Sequence, residues 1–322
     1  MIVKSISKIN SDYNEKQGES YWDYENYKIN LGDIDDYYIY KNIGKGKYSE
    51  VFEGRTKNGD KCVIKVLKPV KERKILREIK ILNTLKHKNI VEMIDVVRDG
   101  ECDNYSLIFN YVEHVETRQF FCKIGVDQFK IYLKQLLEGL AYAHSKGIFH
   151  RDIKPLNLVV DVKNKNLRII DWGLAEYYHP QKSYSVRVAS RFYKGPELLV
   201  EYDYYDYSLD IWGVGCIIGE FITRKPPFFF GEDNTDQLLK IVGVLGKKDL
   251  MKYIQKYQIK LPKGLKNQIP IKNRKNLQEF LPNEISKSTN ALLLVDLMEK
   301  MLVYDHLERI TAEEALEHAF FK

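Results

Sequence analysis

The order of apolar and polar positions divides the chain into two parts. From Ile39 to Phe109 the apolar residues come in short runs separated by turn signals, as strands do; after Asp127 they recur mostly at helical spacing. In the first part Cys62-Val63-Ile64-Lys65-Val66 and Tyr105-Ser106-Leu107-Ile108-Phe109 read as strands, with Lys57-Asn58-Gly59-Asp60 as a hairpin turn. Ile75, Leu76, Ile79, Leu82 and Leu85 predict a helix from residue 71 to about 85. In the second part Phe129, Leu133, Leu136, Leu137 and Leu140 mark one apolar helix face. Leu158-Val159-Val160 and Leu167-Arg168-Ile169-Ile170 read as strands. An apolar helix begins at Asp210 and runs to Ile222, with Pro226-Pro227 expected to end it; further helices are predicted from Leu293 to Leu302 and after Arg309. Residues 247 to about 290 are rich in lysine, hold prolines and have no clean period, so they read as surface loops and short helices. Residues 1–33 form a polar, tyrosine-rich lead-in. Its Tyr21-Trp22-Asp23-Tyr24-Glu25-Asn26-Tyr27 segment has too many aromatics for a free tail, so it is expected to pack back on the body, with a partner as the alternative.

Composition changes this picture little. The 322 residues suffice for two lobes with ample core, and 44% hydrophobic with 30% charged residues is ordinary for a globular protein. The net charge of +6 is too mild to demand nucleic acid, and no motif of interleaved basic and aromatic residues is present, so no nucleic-acid partner is expected. Cys62, Cys102, Cys122 and Cys216 lack CxxC spacing, which fits reduced thiols in the cytoplasm and nucleus better than a zinc site or disulfide framework. No apolar leader, membrane-length run or myristoylation signal is found, and no membrane association is expected.

The candidate chemistry is concentrated in His150-Arg151-Asp152-Ile153-Lys154-Pro155-Leu156-Asn157, a polar loop between an apolar helix and an apolar strand. Asp152 can accept a proton from a hydroxyl, Lys154 can steady a phosphate and Asn157 can hold a cation. A second apolar strand ends in Asp171-Trp172-Gly173; Asp and Asn oxygens are the hard ligands that Mg²⁺ takes, and Mg²⁺ commonly arrives with nucleotide phosphates. Lys65 interrupts a buried strand, which is costly without an anion to pair with; Glu78 on the next helix is its natural partner. The plain alternatives are a lysine snorkelling at a sheet edge and a solvated helix carboxylate. Gly44-Lys45-Gly46-Lys47-Tyr48-Ser49-Glu50-Val51 is a glycine-rich turn whose amides could close on phosphate oxygens, or simply a hairpin. Arg187, Arg191 and Lys194 stand close together in the polar segment 174–194, which suggests an anionic substrate or else a solvated cluster.

These pieces, in this order and over residues 36–322, resemble the eukaryotic protein kinase domain. Lys154, two residues after Asp152, looks like a serine/threonine kinase. Asp171-Trp172-Gly173 in place of Asp-Phe-Gly, Gly195-Pro196-Glu197, Leu67-Lys68-Pro69-Val70-Lys71, Arg187-Val188-Ala189-Ser190-Arg191 and Tyr202-Asp203-Tyr204-Tyr205-Asp206-Tyr207-Ser208 are similar to the casein kinase II catalytic (alpha) subunits, as is the Tyr21–Glu25 segment. The resemblance implies an α+β, bilobal kinase fold: an N-terminal extension over 1–35, a small β-rich N-lobe over 36–112 and a larger helical C-lobe over 113–322.

It also implies roles for individual residues. Asp152 would be the catalytic base, Lys154 would steady the γ-phosphate, and Lys65 would hold the α- and β-phosphates and pair with Glu78. Asn157 and Asp171 would hold Mg²⁺. Gly44, Lys45, Gly46, Ser49, Val51, Ile64, Phe109, Asn110, Val112, Val159 and Ile170 would complete the nucleotide site. Lys71, Arg73, Lys74 and Arg77, with Arg187, Arg191 and Lys194, would read acids in protein substrates; Glu197 and Arg309 would form a buried pair. ATP or GTP as donor, a regulatory beta-subunit dimer on the small lobe and constitutive activity are further implications. Three departures stand out: Glu72 and Leu76 dilute the basic helix, Asn110-Tyr111-Val112 replaces the common Glu-His-Val, and Leu156 stands where histidine is frequent. Residues 1–20 match nothing in the family. The rivals are a related kinase with another substrate preference and a pseudokinase scaffold.

Overall fold

In the computed structural model, which describes residues 2–46, 48–100, 102–283 and 288–322, the chain first crosses the large lobe before it enters the sheet. Val3 donates its N–H to the Tyr257 carbonyl, Ser5 donates its hydroxyl to the Tyr204 carbonyl, and the side-chain amide of Asn14 donates to the carbonyls of Gly147 and Tyr178. Two short helices follow, α1 (Tyr13–Gln17) and α2 (Glu19–Trp22). Residues 1–20, which the sequence left without a role, are thus anchored from Val3 onward, and the aromatic segment does pack on the body: Tyr21 and Tyr24 meet the Tyr177 ring, and Trp22 meets His179 edge-on.

The N-terminal sheet has five antiparallel strands: β1 (Tyr37–Lys45), β2 (Ser49–Thr56), β3 (Lys61–Leu67), β4 (Met93–Arg98) and β5 (Tyr105–Asn110), in the order β1-β2-β3-β5-β4. The turn between β2 and β3 sits on Gly59 at φ +88°, a conformation that glycine adopts without steric cost. Helix α3 (Glu72–Thr84) buries Ile75, Ile79 and Leu82, as their spacing requires. Strand β4 was not foreseen; its apolar residues are interrupted by Asp95, at a break in register where the pattern loses its period.

The rest is built on helices, beginning with α4 (Thr117–Phe121) and α5 (Val126–Ser145). Phe129, Leu133, Leu136, Leu137 and Leu140 of α5 are all buried, each contributing on the order of 1.5–3 kcal/mol. Short strands β6 (Ile148–Phe149), β7 (Leu158–Asp161), β8 (Asn166–Ile169) and β9 (Glu176–Tyr177) form two ribbons, β6 with β9 and β7 with β8. Helix α6 (Pro196–Leu199) precedes α7 (Ser208–Thr223), which is buried on all sides; Phe221 stacks on Phe129 with centroids 3.9 Å apart. The sequence ran this helix to Ile222, ahead of the prolines, and α7 ends one residue on, at Thr223; the next residue, Arg224, is left-handed and its guanidinium donates to the carbonyls of Phe121 and Ile124. The lysine-rich region is more regular than expected: α8 (Asn234–Leu245), α9 (Lys247–Lys256) and α10 (Leu265–Gln268) precede α11 (Thr289–Met301) and α12 (Ala312–Leu316). Among the described residues no helix is long and apolar enough to cross a membrane.

Candidate active site

Strand alternation and helix packing bring Lys65 to the seam between the two lobes. Its ammonium lies 2.7 Å from Glu78 Oε1 on α3 and 2.7 Å from Asp171 Oδ1 beyond β8. Burial alone would push the lysine pKa down; the two carboxylates more than reverse this and hold it above its usual value. Asp171, with its side chain 48% exposed, is likewise drawn up by burial, but the charge and hydrogen bond of Lys65 hold it below the usual carboxylate range. Asp171 sits in the left-handed region at φ 60°, and a Cβ on the following Gly173 would come within 3.0 Å of Glu78 Oε2, so glycine lets the two lobes close here.

The loop after β6 is fixed from below by Asp210, a fully buried carboxylate at the start of α7. It accepts the backbone N–H groups of His150 (2.8 Å) and Arg151 (2.7 Å) and lies 2.9 Å from His144 Nε2. That grip supports Arg151 at φ 67°, a strained value for a residue with a side chain. Above it, Asp152 Oδ2 accepts from Lys154 Nζ at 2.6 Å and from Asn157 Nδ2 at 3.1 Å. Asp152 Oδ1 accepts the Ser190 N–H at 2.8 Å and keeps lone-pair capacity for a hydroxyl. Lys154 also donates to Ser190 Oγ at 2.7 Å. Asp152, Lys154, Asn157 and a serine of the polar segment therefore form one hydrogen-bonded set.

The polar segment is held by charge as well as by packing. Glu176 is buried; burial pushes its carboxyl up, and Arg77 (2.7 Å) and Arg151 (3.8 Å) pull it below the usual range. Farther along, Glu197 and Arg309 make the expected buried pair, with two contacts at 2.9 and 2.8 Å.

Several expected site residues fall elsewhere. Ile64 is corrected: successive strand residues face opposite ways, so with Lys65 turned to the seam, Ile64 packs behind the sheet with Cys62, Val97 and Ile108. Val63, two residues before Lys65 on its own face, stands where Ile64 was expected, and Val51 (paired with Lys65) and Phe109 (paired with Val63) share that face. Arg77 is also corrected: its guanidinium is taken by Glu176 and the Gly173 carbonyl, leaving Lys71, Arg73 and Lys74 as the exposed cations of that helix. Asn110 and Val112 line a cavity of about 560 Å³ whose walls include Lys61, Glu92, Lys163 and Arg168 but not Lys65 or Asp171. Lys45 pairs with Glu50 across the glycine-rich turn, where Gly46 donates to the Ser49 carbonyl; Lys47 lies outside the described residues. A Cβ on Gly44 or Gly46 would meet neighbours no closer than 3.5 Å, so the sheet's own packing does not demand glycine at either place. Val159 and Ile170 are half-buried, and Ile170 donates its N–H to the Asn157 carbonyl. Arg187 and Arg191 are exposed and Lys194 is half-buried.

Comparison with known proteins agrees with this geometry. Residues 37–321 match the protein kinase domain. A probable casein kinase II subunit alpha homologue of Encephalitozoon cuniculi is 52% identical over 323 residues, covering 100% of this chain and 99% of the relative. The chain belongs to the casein kinase II alpha family of protein kinases. It is a serine/threonine protein kinase, a phosphotransferase of a family that uses ATP and Mg²⁺.

The residues present suit that cofactor. No group of three or more His, Cys, Asp or Glu that could cage a metal exists among the described residues. Asn157 uses its side-chain nitrogen on Asp152, which leaves its side-chain oxygen Oδ1 free, and Asp171 uses Oδ1 on Lys65 and leaves Oδ2. Two hard oxygens with room for water and phosphates match what Mg²⁺ accepts. Three positioning residues of this kinase escaped the sequence reading: Ser190, Asp210 and Glu176. Asp210 alone left a clear trace, a carboxylate opening an otherwise apolar helix; Ser190 and Glu176 acquire their roles only through partners distant in the chain.

Proposed function

We propose that this kinase transfers the γ-phosphoryl group to serine or threonine in acidic sequence contexts, with Asp152 as base, Lys154 steadying the transferred group and Lys65 holding the other phosphates. The observation that carries the acidic preference is the pairing of like charges near Ser190. Lys194 has no carboxylate partner among the described residues; burial and the neighbouring Arg191 guanidinium both lower its pKa, so a passing carboxylate would relieve it. Arg191 itself donates to the carbonyls of Gly231 and Glu232, which holds its guanidinium in place. Arg187, Lys71, Arg73 and Lys74 would add looser contacts. Constitutive activity is supported by the segment's internal props: Glu176 between two arginines, the Tyr21–Tyr24 aromatics against Tyr177 and His179, and Trp172, whose indole N–H donates to the Ile169 carbonyl. We further propose GTP as an alternative donor, activity in cytoplasm and nucleus, where its cysteines would stay thiols, and a beta-subunit dimer on the outer sheet face. That face carries exposed Ile39 near Tyr37 and Phe52.

Initial rates on a serine peptide followed by acids and on its neutral counterpart, with ATP and with GTP, test this reading. Asp152→Asn should lower turnover by about 10²–10⁴-fold while nucleotide binding survives. Neutralising Arg187, Arg191 and Lys194 together should raise KM for the acidic peptide more than for the neutral one. Equal effects on both peptides would make the cluster structural.

A further inference from the structure

Residues 247–275 contain nine lysines and Arg274 against a single acid, Asp249. The other residues of the chain hold 41 basic and 44 acidic side chains, a net of −3, so the positive charge of the whole molecule resides in this strip. Of its ten cations, Lys252 pairs with Asp249, Lys256 with Asp305 and Glu308, Lys247 donates to the Ile269 carbonyl and Lys275 lies over the Phe280 ring. The remaining six (Lys248, Lys260, Lys263, Lys266, Lys272 and Arg274) are exposed and make no ion pair among the described residues. Their backbone is nevertheless held. Leu250, Tyr253 and Ile254 of α9, with Leu265 and Ile269, are buried in the large core; the Lys247 N–H bonds the Lys272 carbonyl, and the Lys275 N–H bonds the Val244 carbonyl. Like charges kept close on a fixed surface repel one another, and an anion with matching spacing relieves that repulsion.

We propose that this strip is a remote docking surface for an acidic segment of the protein substrate itself, lying beyond the residues next to the phosphorylated serine or threonine. The inference rests on the acidic-substrate reading above. Its geometric support is α8, which joins the two places. Just before the start of α8, Arg191 holds the carbonyls of Gly231 and Glu232; at its other end, Gly246 lies against the backbone of Arg274. Twelve helical residues span about 18 Å, and an extended peptide covers that distance in about six residues. A substrate chain leaving the active site can therefore reach the strip with a short run of residues.

The chemistry of the strip favours an acidic polypeptide over other anions. It has one arginine and no exposed aromatic, since Tyr253 and Tyr257 are buried, so it offers neither a stacking platform nor the arginine forks common at bases and phosphates. The apolar face of α9 is turned into the core, and Ile271 is the strip's one exposed large aliphatic, so there is no amphipathic face to enter a bilayer.

The test uses the full chain, wild type and with Lys260→Glu, Lys263→Glu, Lys266→Glu and Lys272→Glu combined, plus the same four positions as Gln. Three kinds of serine peptide are compared: short with adjacent acids, long with neutral neighbours and an acidic tract about eight residues away, and long with a neutral tract. In the wild type the distal acidic tract should lower KM on the order of tenfold, and this advantage should fall with salt. The Glu variant should abolish it and the Gln variant weaken it, with the short acidic peptide unchanged within about twofold in both. The proposal is overturned if the distal tract brings no advantage in the wild type, if short and long peptides lose alike, or if the lysines instead govern binding to single-stranded RNA or anionic vesicles without any change in peptide KM. The acidic-substrate reading fails by a different result, a short acidic peptide no better than a short neutral one.

Discussion

Two of the buried ion pairs of this kinase are built for different ends. Arg309 and Glu197 are both 0% exposed, and the guanidinium is saturated: beyond its two contacts to Glu197 it donates to the carbonyls of Ser208, Val303 and Tyr304. Lys65 shares its ammonium between Glu78 and Asp171, and Asp171 opens to solvent. The closed pair has no capacity left for anything but the fold. The open pair keeps a third N–H and a free carboxylate oxygen, which is what a phosphate and its metal ion need. Burial is common to both; unused hydrogen-bonding capacity separates a working site from a structural clasp.

Breaking the closed pair should have the largest effect on stability. Arg309→Met strands a buried carboxylate, and a loss of about 3–5 kcal/mol is expected in denaturant unfolding. Removing both partners, as Arg309→Met with Glu197→Met, should recover part of that loss, because no buried charge is then left alone. Lys65→Met also strands the buried Glu78, but it does so at a seam where Asp171 already meets water, so it should cost less, about 1–3 kcal/mol, while phosphate transfer falls by about 10²–10³-fold. If the two single substitutions destabilised equally, the contrast between clasp and site would be lost.

Acid titration should sharpen the same contrast with a smaller effect. Glu197 and Asp171 are both held below the usual carboxylate range; in each, burial acts upward and is outweighed, by Arg309 in one and Lys65 in the other. A carboxyl with a lowered folded pKa contributes stability that is complete above its unfolded value, near pH 4, and is lost as pH falls through the folded value. Melting curves from pH 7 to pH 3 should therefore drop on the acid side, and Glu197→Gln should flatten that limb more than Asp171→Asn. The reverse order would mean that the half-exposed carboxylate carries the acid sensitivity.

Much of the site was legible because its chemistry is local in the chain. Asp152, Lys154 and Asn157 lie within six residues, and Asp171 ends an apolar strand, so their types and spacing carry the meaning. What could not be read has a physical reason in each case. The resemblance put Ile64 at the nucleotide, but neighbours on a strand point to opposite faces, and Lys65 takes the one turned to the seam. Arg77 looked like its basic neighbours until Glu176, 99 residues away, claimed it. Strand β4 hid behind a break in its register at Asp95, and α9 behind lysines that outnumber its three buried apolar residues.

The sequence by itself determined the alternation of strands and helices, the acid, base and amide of the catalytic loop, and the family resemblance, since each depends on residue type at short range. Only the tertiary structure decided which charges are spent and which are free. It clasped Arg309 shut, turned Arg77 inward, tied residues 3–14 to the large lobe and left six cations of the lysine strip exposed without an ion pair among the described residues, because whether a charge finds a partner depends on chain segments that meet only once the molecule has folded.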